Sequence, residues 1–341
     1  MRVLVTGHKG FIGTVMVPML QKHGHSVLGI DSDLYRNSTY GKAPAPVDEL
    51  IKDVRDIEAC DLEGVDSIVS LAALSNDMLG DLNPKLTYEI NYKASVRLAE
   101  MARSLGIKRY VFASSCSMYG AAGDTVLDEN AEFNPVTAYA KSKVLVEKEV
   151  SLLADDDFSP TFMRNATAYG VSPRIRFDVV LNNLSAWAYT TGKVQMKSDG
   201  TPWRPIVHIE DISRAVIAAL ASPREKIHNE AFNVGRNEEN YQISELAQIV
   251  KEAIPDSDIS FAGEAGPDLR NYRVKFDKYM KTFPDFSLQW NAREGAKHIY
   301  DSYRTIGLHR DDYEGTKYKR IAQLQDLLAS GKLDDTMRWA N

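Results

Sequence analysis

Cysteine is nearly missing from this chain. Only Cys60 and Cys116 occur in 341 residues, too few for a disulfide framework, and neither stands at a metal-ligand spacing from the seven histidines. No metal site is expected, and His23-Gly-His25 reads as a polar turn. No apolar run reaches the roughly 20 residues that span a bilayer. Excess basic charge is also lacking: 41 Lys and Arg against 47 Asp and Glu leave a net charge of -6. That balance offers no cationic surface to a phosphodiester chain, so nucleic acid is excluded as an expected partner. Any bound anion must be held by local charges and helix ends. Internal repeats and low-complexity linkers are absent, and 44% hydrophobic with 26% charged residues is ordinary globular composition. Met1-Arg-Val-Leu-Val-Thr6 enters an apolar strand without the longer apolar segment and cleavage site of a secretory signal, so a cytoplasmic location is expected.

Glycine is placed with more purpose. The run Arg2–Thr6 ends in Thr6-Gly-His-Lys-Gly-Phe-Ile-Gly13, followed by helical patterning from Thr14 to His23 and a second strand from Ser26 to Ile30. Strand, glycine turn, helix and strand in that order form the context in which such a motif binds a dinucleotide. Gly7 permits a tight turn, Gly10 lets backbone approach a diphosphate, and Gly13 lets helix and strand pack closely, with Phe11 and Ile12 between them. Asp31 falls at the end of the second strand, where a carboxylate takes both ribose hydroxyls of NAD and repels the 2′-phosphate of NADP. Asp53 and Val54 follow a third short strand, and Ser67-Ile-Val-Ser-Leu-Ala-Ala73 reads as a buried parallel strand whose end, Leu71, Ala72 and Ala73, leaves room for the cofactor.

Helical patterning then runs from Pro84 to Leu105 and stops at Gly106. The strand Arg109–Ser114 leads into Ser115-Cys-Ser-Met-Tyr-Gly120, which puts hydroxyls at the carboxyl end of a parallel strand, where open α/β sheets bind ligands. Tyr139 and Lys143 lie four apart on a helical stretch and therefore share a face. A phenol, with a reference pKa of about 10, becomes a usable base near an ammonium and an oxidised nicotinamide ring.

These ordered motifs resemble the extended short-chain dehydrogenase/reductase family, in its branch of NAD-dependent nucleotide-sugar epimerases, dehydratases and decarboxylases. The resemblance runs from GHKGFIG through SLAA, SSCSMYG and Tyr139-Ala-Lys-Ser-Lys143 to Phe232-Asn-Val-Gly235 and the basic segment Gly266-Pro-Asp-Leu-Arg270. It implies an α/β fold: a Rossmann-type doubly wound parallel sheet over residues 1–165 and a smaller mixed α/β substrate-binding lobe over 166–341. A stretch at about 205–235 is expected to return to the main sheet, and a helical extension to begin at about 313. The resemblance also implies a homodimer built on the helices around Lys85–Leu105 and Tyr139–Leu153. The substrate would be a nucleotide-diphosphate sugar, touched by Ser75, Ser117, Thr167, Asn182, Asn183, Arg204 and Arg270. Thr167 stands where the family carries an asparagine, and Asn182 and Asn183 also suit a helix N-cap. Arginine at positions 204 and 270 suits a diphosphate because its planar fork presents paired donors. In the tail, Ile321, Leu324, Leu327 and Leu328 share one helix face, expected to pack on the substrate lobe or a second subunit.

The chemistry implied is oxidation of a sugar hydroxyl, with Ser115 and Tyr139 on one oxygen, Lys143 as the supporting cation and NAD as hydride acceptor. Related 4,6-dehydratases place an Asp-Glu pair directly after the Ser or Thr; here the positions are Cys116 and Ser117. A thiol is a weak acid, or a base as thiolate, whereas a serine needs help. 4-Epimerisation by hydride return is therefore the simplest expectation. A dehydratase, 3,5-epimerase or decarboxylase using Cys116, a net ketosugar oxidoreductase, and a non-catalytic NAD-binding protein remain as alternatives.

Overall fold

The computed structural model describes residues 1–75, 82–261 and 270–340. The strands, in chain order, are β1 (Arg2–Thr6), β2 (Ser26–Asp31), β3 (Asp48–Ile51), β4 (Ser67–Ser70), β5 (Arg109–Ser115), β6 (Ala121–Leu127), β7 (Ser159–Asn165), β8 (Thr167–Tyr169), β9 (Lys193–Met196), β10 (Trp203–His208), β11 (Glu230–Val234), β12 (Asn240–Gln242), β13 (Asp258–Phe261) and β14 (Asn271–Val274). Seven of them form the main sheet in the order β3-β2-β1-β4-β5-β7-β11, every neighbouring pair parallel.

Burial on both faces explains the composition of the central strands, whereas every residue of the edge strand β3 is exposed. Val3, Leu4 and Val5 alternate sides, yet all are inaccessible to solvent, because helices cover each face of a parallel sheet. Val3 and Val5 pack with Met16, Val17 and Leu20 of helix Gly13–Lys22 and with helix Ile209–Ala221. Leu4 packs on the opposite side with Leu98 and Val146, which belong to helices Ala94–Ser104 and Ala138–Ser151. The helical run expected to start at Pro84 is not uniform: Tyr88–Lys93 is π-helical before the α-helix resumes. Strand order reverses between β1 and β4, and the crevice there opens at the carboxyl ends of the strands.

Outside the main sheet lie three small ones, β12-β10-β8, β13-β9 and β14-β6, the last drawing β6 from the first half of the chain. A further core is aromatic, with Tyr40, Phe177, Tyr303, Tyr313 and Tyr318 in one cluster. Of the stretch at 205–235, β11 joins the main sheet, whereas β10 pairs with β8 and β12.

The tail differs from expectation. Leu324 and Leu327 of helix Arg320–Ala329, with Leu333 and Met337 beyond it, share a core with Leu4, Leu28 and Val54 of the dinucleotide-binding half. Polar bonds hold the tail there: Ser38 Oγ donates to Gln323 Oε1 at 2.6 Å, and Trp339 Nε1 donates to the Ser32 carbonyl at 2.6 Å. The apolar face was legible in the sequence, but its docking surface lies nearly three hundred residues away along the chain.

Candidate active site

A cavity of about 600 Å³ occupies the crevice and extends to the small sheets, where Thr167, Met196, Arg204 and Tyr272 line it. At one end stands the glycine turn. Gly7 has φ +74°, and a Cβ there would lie 2.8 Å from the Ala72 nitrogen; a Cβ on Gly13 would meet the Gly7 carbonyl oxygen at 2.4 Å. Both positions therefore exclude a side chain, so the chain is pinched and the amino end of helix Gly13–Lys22 is brought to the cavity. Gly10, Phe11 and Ile12 line the cavity, as do Leu71, Ala72 and Ala73, with the Leu71 and Ala72 backbone against Gly7.

Asp31 lines the cavity at the end of β2. Its Oδ2 accepts from the Lys9 backbone N–H at 2.9 Å, and its Oδ1 accepts from that of Asp33 at 2.8 Å. Burial pushes this carboxyl up, against those two N–H groups and His8. Asp53 and Val54 also line the cavity, with Asp53 held by the Arg55 guanidinium at 2.7 Å. A carboxylate as enclosed as Asp31 opposes a second anion beside it. Asp31→Ala is expected to narrow the preference for NAD over NADP by at least about tenfold, roughly 1.4 kcal/mol, and binding titrations with both cofactors check this.

At the other end lie the groups suited to chemistry. Thr137 caps helix Ala138–Ser151 by accepting from the Ala140 N–H at 3.2 Å, which sets Tyr139 and Lys143 in the first turns, facing the cavity. Lys143 is buried, donates to the Ala113 carbonyl at 2.7 Å, and sits 4.5 Å from the Phe112 ring centre and 5.7 Å from that of Tyr139. Burial pushes its ammonium down to about 7, against the pull of Glu147. Ser115 and Ser117 line the cavity beside them, the Ser115 Oγ accepting from the Ser117 N–H at 3.2 Å.

Thr167, Asn183, Arg204 and Arg270 line the cavity, as does Ser75, whose Oγ accepts from Arg176 at 3.1 Å. Arg204 reaches the Trp203 carbonyl at 2.8 Å and also donates to the Arg270 carbonyl. Residues 266–269 of the basic segment lie outside the described residues.

Two expected site residues lie elsewhere. Cys116 is fully buried and does not line the cavity; its Sγ points to the Arg164 carbonyl at 3.1 Å, and burial pushes the thiol up. A thiol so placed neither reaches a substrate nor ionises readily. Asn182 is also fully buried: its amide donates to the Gly170 and Arg176 carbonyls at 2.8 and 2.9 Å, and its oxygen accepts from the Gly170 N–H at 3.0 Å. It ties the loop before its helix and has no donor left for a sugar. Neither asparagine is the N-cap, which is Val179.

The cavity also gathers residues for which the sequence carried no motif. Asn165 ends β7 beside Ser115, its register partner, and its Oδ1 is buried without a hydrogen-bond partner among the described residues. Arg176 and Asp178 form a two-pronged pair at 2.9 Å, and although burial raises the Asp178 carboxyl, Arg176 outweighs it and holds it down to about 2. Tyr35, Arg320 and Met337 complete the side nearest Asp31.

The pinched turn, the enclosed Asp31, and the Ser117 Oγ and Asn165 Oδ1, neither with a hydrogen-bond partner among the described residues, fit a nicotinamide dinucleotide in this cavity. This is a dinucleotide-dependent enzyme site of Rossmann type, with a tyrosine–lysine pair facing the cavity. The chain belongs to the NAD dependent epimerase/dehydratase family, whose model matches residues 3–235. Among curated relatives, it is 28% identical over 315 residues to a putative UDP-glucose 4-epimerase of Methanocaldococcus jannaschii, covering 87% of this chain and 96% of that one. Its fold is similar to that of a UDP-glucose 4-epimerase from Thermotoga maritima, solved with UDP-glucose, at TM-score 0.79, 22% identity and coverage of 90% and 100%. It is similar as well to MoeE5 in complex with UDP-glucose and NAD, at TM-score 0.77, 25% identity and coverage of 89% and 99%.

Proposed function

We propose that this NAD-dependent enzyme is a nucleotide-sugar 4-epimerase. The observation that carries the reading is the convergence of Ser115, Tyr139 and Lys143 on one end of the cavity, while position 116 turns a thiol away from it and position 117 offers only a hydroxyl. When bound, the nicotinamide supplies a reversible hydride acceptor. Tyr139 takes the proton of the sugar hydroxyl as the hydride leaves the attached carbon, and returns it when the hydride comes back on the other face. Ser115 holds the same oxygen. Lys143 places positive charge behind the phenol through its contact with the ring. Arg204 and Arg270 face the diphosphate of the substrate, and Thr167, Asn183 and Ser117 the sugar. Relatives named as UDP-sugar 4-epimerases support a uridine nucleotide.

Hydride return takes no proton from carbon. A turnover in heavy water, run on UDP-glucose or UDP-glucuronate, is expected to leave no carbon-bound deuterium in the product by mass spectrometry. Cys116→Ala is expected to keep turnover within about threefold of the parent, since it removes only a small packed group. Deuterium at C3 or C5 together with a collapse of the Cys116 variant would instead establish proton chemistry of the dehydratase or 3,5-epimerase kind.

We also infer a homodimer through the helical run 84–104 and helix Ala138–Ser151. Tyr92 and Glu149 bond these two helices to one another, and beside their ends Leu105 is 47% exposed and Leu152 83% exposed. Exposed leucines at adjoining helix ends favour a covered surface. Light scattering at micromolar concentration is expected to give twice the chain mass, and Leu152→Glu to shift it toward the monomer.

A further inference from the structure

Arg320 is the first residue of helix Arg320–Ala329, beyond the 3–235 segment matched by the family model. Its side chain is 8% exposed and lines the cofactor cavity. Among the described residues its guanidinium makes one hydrogen bond, from Nη2 to the Arg174 carbonyl at 3.1 Å, and lies 4.5 Å from the Tyr35 ring centre. The two neighbouring guanidiniums have carboxylates, Arg176 with Asp178 at 2.9 Å and Arg174 with Asp33 at 3.5 Å. Arg320 makes no ion pair of its own among the described residues, although Asp178 and Asp31 lie close enough to favour its charge, and a buried cation without a directly bonded anion is costly unless one completes it.

Position indicates which anion. Tyr35, on which Arg320 rests, follows β2 four residues after Asp31. The carbonyl that accepts from Arg320 belongs to a loop pinned to helix Gly13–Lys22, because Ser172 Oγ and Thr14 Oγ1 bond at 2.8 Å. Thr14 is in the first turn of that ten-residue helix, whose amino end is the seat of a diphosphate. Arg204 and Arg270 stand at β10 and beside β14, in the other lobe. The tail reaches further along the same wall: Met337 lines the cavity, and Trp339 is bonded to Ser32 and covered by the Arg36 guanidinium at 3.4 Å.

We propose that the C-terminal extension is part of the cofactor site, with Arg320 supplying a side-chain cation to the diphosphate of the bound NAD. The helix end then provides N–H groups on one side of that diphosphate and Arg320 the charge on the other.

The test compares Arg320→Met, which keeps the length and removes the buried charge, with Arg320→Lys, which keeps the charge. NAD content of the purified proteins is measured by mass spectrometry after denaturation, and NAD, ADP, adenosine and UDP are titrated into cofactor-stripped protein by calorimetry. Thermal melts of the stripped proteins show that each variant is folded. Arg320→Met is expected to lose roughly ten- to hundredfold in affinity for NAD and ADP, the worth of one charged hydrogen bond. Adenosine and UDP should bind as in the parent, and Arg320→Lys should recover part of the loss. Weakened UDP binding with NAD unchanged would assign the guanidinium to the substrate diphosphate and overturn the proposal. Equal loss for adenosine and ADP, or no loss at all in a folded variant, would overturn it too. Failure of the parent itself to bind NAD would refute the cofactor assignment, a result distinct from normal NAD binding by Arg320→Met.

Discussion

Tyr139→Phe is expected to lower turnover at least about 100-fold, the lower end of what a positioned acid–base group contributes. NAD content and UDP binding should stay near those of the parent, since the ring remains and only the phenolic oxygen is removed. A coupled assay of product formation, alongside those two binding measurements, checks it. Near-normal turnover would remove the basis of the proposed chemistry. Lys143→Met should fall comparably, because the phenol then lacks the cation beside it.

Lys143 also predicts a pH signature in stability. Its ammonium is pushed down to about 7 by burial, below the unfolded value of about 10.4. Between those values the unfolded chain binds more protons than the folded one, so folding stability rises with pH in that window. Below pH 7 the cost of burying the charge is fully present. Lys143→Met abolishes this rise, so the stability difference is expected to move in favour of the parent as pH climbs from 7 to 10. Denaturant melts of cofactor-stripped protein at several pH values read the effect directly. The charge of Lys143 is thus held in the cavity wall at a cost in stability.

The largest loss of stability is expected at Arg164. It is the penultimate residue of β7, 7% exposed, and pairs with the similarly enclosed Glu147 at 2.7 Å. Its other donors go to the Tyr119 oxygen at 3.1 Å and the Glu129 carbonyl at 2.9 Å. Arg164→Leu leaves the Glu147 carboxylate buried without its partner, a change that typically costs about 3–5 kcal/mol. Urea unfolding should show that loss, and the double variant Arg164→Leu, Glu147→Leu should regain much of it, because apolar side chains replace both charges. If the single and double variants are equally unstable, the loss belongs to Tyr119 and Glu129 instead. Cys116 bonds to the Arg164 backbone, so this framework also explains why the thiol faces inward.

Much of the site could be read from residue order alone, because its parts are local. A turn that needs Gly7 at positive φ, a carboxylate at the end of the next strand, and a tyrosine and lysine one helical turn apart are all properties of short windows. The parallel sheet was legible for the same reason: strands buried on both faces read as unbroken apolar runs. Side-chain direction and docking partner were not. Cys116 follows Ser115 directly, yet its side chain meets a carbonyl 48 positions away. Asn182 and Asn183 are neighbours on one helix, and only the second reaches the cavity, since 100° of helical rotation separates them. The tail helix announced an apolar face by its period but not the surface that receives it. Arg320 meets a carbonyl 146 positions distant, and Trp339 one 307 positions distant. Local conformation follows from dihedral preferences and hydrogen bonds within a few residues. Contacts between remote segments arise only when two separately formed surfaces are packed together, and no short window of sequence contains both.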